Sequence, residues 1–80
     1  MDKVKLKIRV FGKLVDVLGS NEISIPFCPN LHSLKSELEN KFPSIANIQF
    51  AISLNNKIYN ENADLIEGDQ IALLPPFSGG

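Results

Sequence analysis

Near the start of the chain, Val4, Leu6, Ile8 and Val10 alternate with Lys5, Lys7 and Arg9. Successive side chains of a β-strand point to opposite faces, so this pattern sets one face against a core and leaves the other in water. A strand over residues 3–11 follows. It needs neighbouring strands and one layer packed on its apolar side. Phe11 falls in the charged phase, which puts an aromatic ring at the end of the wetted face.

The rest of the chain supplies those partners. Phe11, Leu14, Val15 and Leu18 are spaced along one helical face, and Gly19 is suited to end a short helix. Alternation resumes through Ile23, Ile25 and Phe27, giving a second strand over 22–27 with Pro26 and Pro29 near its end. Asn30 is a good N-cap for the one substantial helix, 31–42, with Leu31, Leu34, Leu38 and Phe42 as its face and Pro43 preventing continuation. An irregular stretch, 44–47, follows. A third strand is expected over 50–54, a tight turn at Asn55-Asn56, and a short fourth strand over 57–59. Residues 60–66 form a polar loop ending in a helical turn at 63–66, and Gly68-Asp69 turns the chain into a last strand, 70–74. That strand buries Ile71 and Leu73 and turns Leu74 outward. The order is ββαβββ, an α+β fold with a mixed sheet packed on one main helix. Pairing of the last strand with the first, as in the ubiquitin-like β-grasp, brings Phe11 and Leu74 onto the same open face. A different reading has that face covered by the chain itself.

The 80 residues, 44% of them hydrophobic, suffice for one core, expected in a 1–74 domain with a 75–80 tail. A net charge of −1 with 21% charged residues gives no electrostatic reason to expect nucleic acid or an anionic membrane as partner. Lys3, Lys5, Lys7 and Arg9 are explained as the wet phase of the first strand, with docking of an acidic partner as the alternative. A lone cysteine, Cys28, can form no internal disulfide, as expected in a reducing cytoplasm, and no signal peptide or transmembrane stretch is seen.

The tail, Pro75-Pro76-Phe77-Ser78-Gly79-Gly80, contains no ionisable side chain. Two prolines cannot donate to a ladder and hold φ near the polyproline value, so the strand stops at Leu74 and the chain leaves the sheet stiffly. Two glycines strip the tip of side chains, fitting it to a pocket too narrow for a Cβ. A terminal Gly-Gly alone is compatible with a frayed end. The apolar strand and the Pro-Pro break before it favour a working carboxylate at Gly80.

Phe11-Gly12-Lys13-Leu14 leading to Gly19, Gly68-Asp69 before Ile71-Ala72-Leu73-Leu74, and the Pro-Pro-Phe-Ser-Gly-Gly ending together resemble the small, sulfur-carrying subunit of molybdopterin synthase. The resemblance implies a β-grasp domain that is not an enzyme alone. It implies that a ubiquitin-activating-like adenylating enzyme uses ATP to convert the Gly80 carboxylate to an acyl adenylate. Sulfur from a persulfide donor then gives a thiocarboxylate. The tail enters the large synthase subunit and donates sulfur to a cyclic pyranopterin monophosphate, two transfers completing the dithiolene. Carried onto this chain, Gly80 bears the reactive group and Gly79 keeps the approach narrow. Phe11, Ile58 and Leu74 face the partner, and Pro75, Pro76, Phe77 and Ser78 thread into it. No tightly bound cofactor or metal is implied, and a heterotetramer of two large and two small subunits is.

The same terminus permits sulfur delivery to thiamine or transfer RNA, or ubiquitin-like conjugation to lysine. A non-covalent binding module is the alternative of another class. Cys28 and His32, four residues apart, are too few for a closed metal site, and Pro29 and Asn30 lie between them. They are expected to be a core or edge residue and a solvated helix residue. Asp64, Glu67 and Asp69 are expected in loops.

Overall fold

The computed structural model describes residues 5–75. Five strands, β1 (Lys5–Val10), β2 (Glu22–Pro26), β3 (Ala51–Leu54), β4 (Lys57–Tyr59) and β5 (Ile71–Leu74), form one mixed sheet in the order β2-β1-β5-β3-β4. Short helix α1 (Lys13–Leu18) joins β1 to β2, and α2 (Leu31–Lys41) follows β2. The first and last strands pair in parallel at the centre, with Ile8, Arg9 and Val10 opposite Ile71, Ala72 and Leu73. Every other pairing is antiparallel. This is the β-grasp arrangement expected from the chain's pattern.

The alternation of β1 is realised residue by residue: Leu6, Ile8 and Val10 are buried and Lys5, Lys7 and Arg9 exposed. Their core partners are Ile23 and Ile25 on β2, Ile71 and Leu73 on β5, Ile52 and Leu54 on β3, and the α2 face Leu31, Leu34 and Leu38. Asn30 caps α2 as expected, its Oδ1 accepting the Ser33 N–H at 2.9 Å. Replacing Asn30 by Ala leaves that donor without its partner and should lower stability by about 1 kcal/mol, measurable by urea unfolding. The Asn55-Asn56 turn also forms, with φ of 52° and 69° and Leu54 opposite Lys57. Asn tolerates this left-handed geometry, which matches the twist of a two-residue hairpin.

Four expectations are corrected. Phe27 is exposed and Cys28 is buried in its place, because β2 ends at Pro26 and the chain leaves the alternation there. Residues 63–66 form no helical turn. The Ala63 carbonyl accepts the Leu31 N–H and the Leu65 N–H donates to the Pro29 carbonyl, so these backbone groups hold an antiparallel bridge to the segment before α2. The stretch after Pro43 contains a single 3-10 turn, Pro43–Ile45, which buries Ile45. Phe11 is not part of the α1 face, since the helix starts at Lys13. Elsewhere element ends differ by a residue or so, and the expected positions Lys3 and Val4 lie outside the described residues.

Candidate docking face and tail root

Among the described residues, no helix lies on the sheet face opposite α2. Strand register sorts its residues into rows. One row runs Ile58, Ser53, Ala72, Arg9, Glu22 across all five strands, and the next sets Ala51 against Leu74. Continuing the β1–β5 register by one residue puts Phe11 beside Leu74. The Phe11 N–H holds this placement by donating to the Leu73 carbonyl at 3.1 Å. Phe11 is 44% exposed and Leu74 half-buried, so both apolar side chains present surface at the end of the sheet from which the tail departs.

Ile58, 42% exposed, shares this face but not this contact. It lies on edge strand β4, two strands from Leu74, which at ordinary strand spacing is about 10 Å. The expected trio is therefore an adjacent pair, Phe11 and Leu74, with Ile58 as an outlying apolar point. Ala51 and Ala72, which the sequence does not single out, extend the patch between them. Their signal was available in the alternation of β5 and β3. Arg9, Lys7 and Lys5 border the patch along β1, giving it one cationic flank.

Pro75 is the last described residue and is half-buried at the tail root. Its ring packs beside Gly12, which has φ +64° at the turn between β1 and α1. The expected partner-contacting residues Pro76, Phe77 and Ser78, and the reactive pair Gly79 and Gly80, lie outside the described residues.

The remaining candidates for chemistry are dispersed. Cys28 is buried, its Sγ donating to the Pro26 carbonyl at 3.4 Å. Burial, with Glu37 adding to it, pushes its thiol above the ordinary range, away from nucleophilic thiolate character. His32 is exposed on α2. Asp69 ties loops together, accepting from the Ile66 N–H at 2.8 Å and the Asn55 amide at 3.1 Å. A groove of about 760 Å³ lies between α2 and β3–β4, lined by residues including Leu31, Lys35, Ile48, Phe50 and Tyr59. Among the described residues, no group of three or more His, Cys, Asp or Glu is placed to hold a metal. None of the helices there is long and apolar enough to cross a membrane.

Residues 8–80 match the ThiS family. The chain is 26% identical over 81 residues to the molybdopterin synthase sulfur carrier subunit of Arabidopsis thaliana, covering 96% of this chain and 84% of that protein. In a solved complex of subunits 1 and 2 of the molybdopterin-converting factor from Helicobacter pylori, one chain superposes with a TM-score of 0.70 at 29% identity, covering 95% of this chain and 99% of the other. SAMP1, a small archaeal modifier protein of Haloferax volcanii, superposes with a TM-score of 0.79 at 19% identity, covering 95% and 99%. At that identity the likeness is one of fold.

Proposed function

The chain belongs to the ThiS family, and from that premise we propose that it is a sulfur carrier for molybdopterin synthesis, with Gly80 as the carrying residue. The observation that bears most on this reading is the Phe11–Leu74 pair, neighbouring apolar positions, one exposed and one half-buried, at the root of a tail ending in two glycines. It gives a partner a surface to grip while the tip is left free of side chains. The likeness to a chain solved with a second converting-factor subunit supports a large synthase subunit as that partner.

The chemistry proceeds from the weakness of a carboxylate as an electrophile. Its negative charge repels nucleophiles, and neither oxygen is a good leaving group. An adenylating enzyme related to ubiquitin-activating enzymes joins the Gly80 carboxylate to AMP from ATP, releasing pyrophosphate. A persulfide donor attacks the acyl carbon and expels AMP. A thiol then cleaves the acyl disulfide, taking up the donor's sulfur as a disulfide and leaving the thiocarboxylate. That group is ionised at neutral pH and its sulfur is soft and unhindered, so the carrier needs no base of its own. Groups that orient the cyclic pyranopterin monophosphate come from the large subunit. This division of labour fits a chain whose described residues place no nucleophile, base and orienting group together.

The fold is shared with SAMP1, so it does not by itself separate sulfur donation from conjugation. Incubating the thiocarboxylate form with a molybdopterin synthase large subunit and the pterin precursor tests the proposal. We expect a stable complex, sulfur in the pterin, and return of the carrier to its carboxylate form. Failure to bind the large subunit, or transfer of the chain itself onto lysines, would refute it.

A further inference from the structure

We propose that Gly12 is a positioning residue that aims the tail, because its missing side chain is what lets the Pro75 ring seat against the β1–α1 turn. The functional consequence rests on the carrier reading above, whereas the contact does not. A Cβ built at Gly12 would meet Pro75 Cγ at 2.5 Å and Cδ at 3.3 Å, with Pro75 Cβ at 3.7 Å. Gly19 and Gly68 also have positive φ, yet a Cβ at either would find nothing within 4 Å. Backbone conformation accounts for all three glycines. Among the described glycines, close approach is specific to Gly12.

The crowded atoms have little freedom to yield. Two carbons separated by 2.5 Å lie far inside the optimum of about 3.5–4.0 Å, and a proline ring cannot swing aside as a long side chain does. The turn is held from both sides. Phe11 donates to the Leu73 carbonyl at 3.1 Å, and the Gly12 carbonyl accepts the Val15 N–H at 3.1 Å. A methyl group at position 12 therefore acts on Pro75 in addition to straining the turn's own backbone at φ +64°. Pro76 follows directly in the sequence, and a residue that precedes proline is restricted in its own backbone, so Pro75 has little freedom to absorb a push at the root. Gly12 also sits next to Phe11, which links the exit direction of the tail to the residue that anchors the docking face.

A double-mutant cycle tests the assignment. Gly12→Ala should lower the rate of sulfur transfer at saturating large subunit by about tenfold or more, with little change in affinity, since a small misplacement of reacting atoms is costly. Pro75→Ala removes Cγ and Cδ as ring atoms and keeps Cβ, which is at ordinary contact distance. In that background the loss caused by Gly12→Ala should be at least about threefold smaller, the remainder being the backbone strain common to both backgrounds. Equal losses in both backgrounds would show backbone strain alone and overturn the proposal. The contact has its own readout in the unmodified protein: a nuclear Overhauser effect between the Gly12 Hα protons and the Pro75 ring. Its absence would overturn the proposal even if Gly12→Ala failed to fold. If the wild-type protein never accepts sulfur, the carrier reading fails, while this signal and the coupling of the two substitutions in thermal stability still decide the contact.

Discussion

Deleting Gly80 is expected to abolish sulfur loading and transfer while leaving the domain folded and able to dock. Among the described residues the buried core runs from Leu6 to Leu73, and a glycine has no side chain to bury. Its loss should therefore change stability by no more than about 0.5 kcal/mol, the range of surface substitutions away from special features. The chemical effect is of another order. The chain would end at Gly79 with its carboxylate one residue short, about 3.3–3.6 Å from where the activating enzyme and the large subunit expect it. Acyl transfer depends on reacting atoms held near 3–3.5 Å, so a shortfall of that size removes the reaction rather than slowing it. Activity and large-subunit affinity measured on the same preparation check this. A binding module without covalent chemistry would keep its function after the deletion.

Phe11→Lys should weaken the complex with the large subunit by about 2 kcal/mol, roughly 30-fold in Kd. Aromatic residues near the centre of an interface carry a large share of its energy. Phe11 is placed to do so, being exposed, next to Leu74, and fixed through its own N–H to Leu73. Lysine would remove the ring and set a second cation near Arg9 at the edge of the patch. The same change should leave folding almost untouched, because the ring is not part of the core. Ile58→Lys should have a smaller effect, since Ile58 lies on edge strand β4, away from the tail root. Isothermal titration of the three proteins orders them. Unchanged affinity for Phe11→Lys would remove this face from the docking surface.

The parts of the structure that were legible in the sequence are those governed by local periodicity. Alternation gave β1 and the phase of β5, and hence the side of the sheet on which Phe11 and Leu74 emerge. An N-cap and a proline stop bounded α2, and two asparagines marked the β3–β4 hairpin. What escaped was set by contacts distant along the chain. The loop at 63–66 has helix-compatible composition, but its backbone groups are taken by Pro29 and Leu31. Phe27 had the larger apolar side chain, yet the departure of the chain at Pro26 turned Cys28 inward instead. Ile45 was hidden in a polar-looking stretch that tightens into a 3-10 turn. Ile58 was singled out only through the family resemblance, and its distance from Leu74 depends on strand order, which alternation does not encode. Gly12 appeared in the sequence only within the Phe11-Gly12-Lys13-Leu14 motif. Its neighbour Pro75 comes from the other end of the chain, and the parallel β1–β5 pair brings them together.

On the proposed reading, the central strand pair fixes where the tail begins, the open face beside it would offer a partner a grip, and the glycine turn leaves space for the first proline. The central claim is that Gly80 carries sulfur, and the mass of the intact protein tests it most directly. After incubation with an adenylating enzyme, ATP, a persulfide donor and thiol, the mass should rise by the difference between one sulfur and one oxygen atom. Fragmentation should place the change on Gly80. An unchanged mass, under conditions that thiolate an established carrier, would contradict the account.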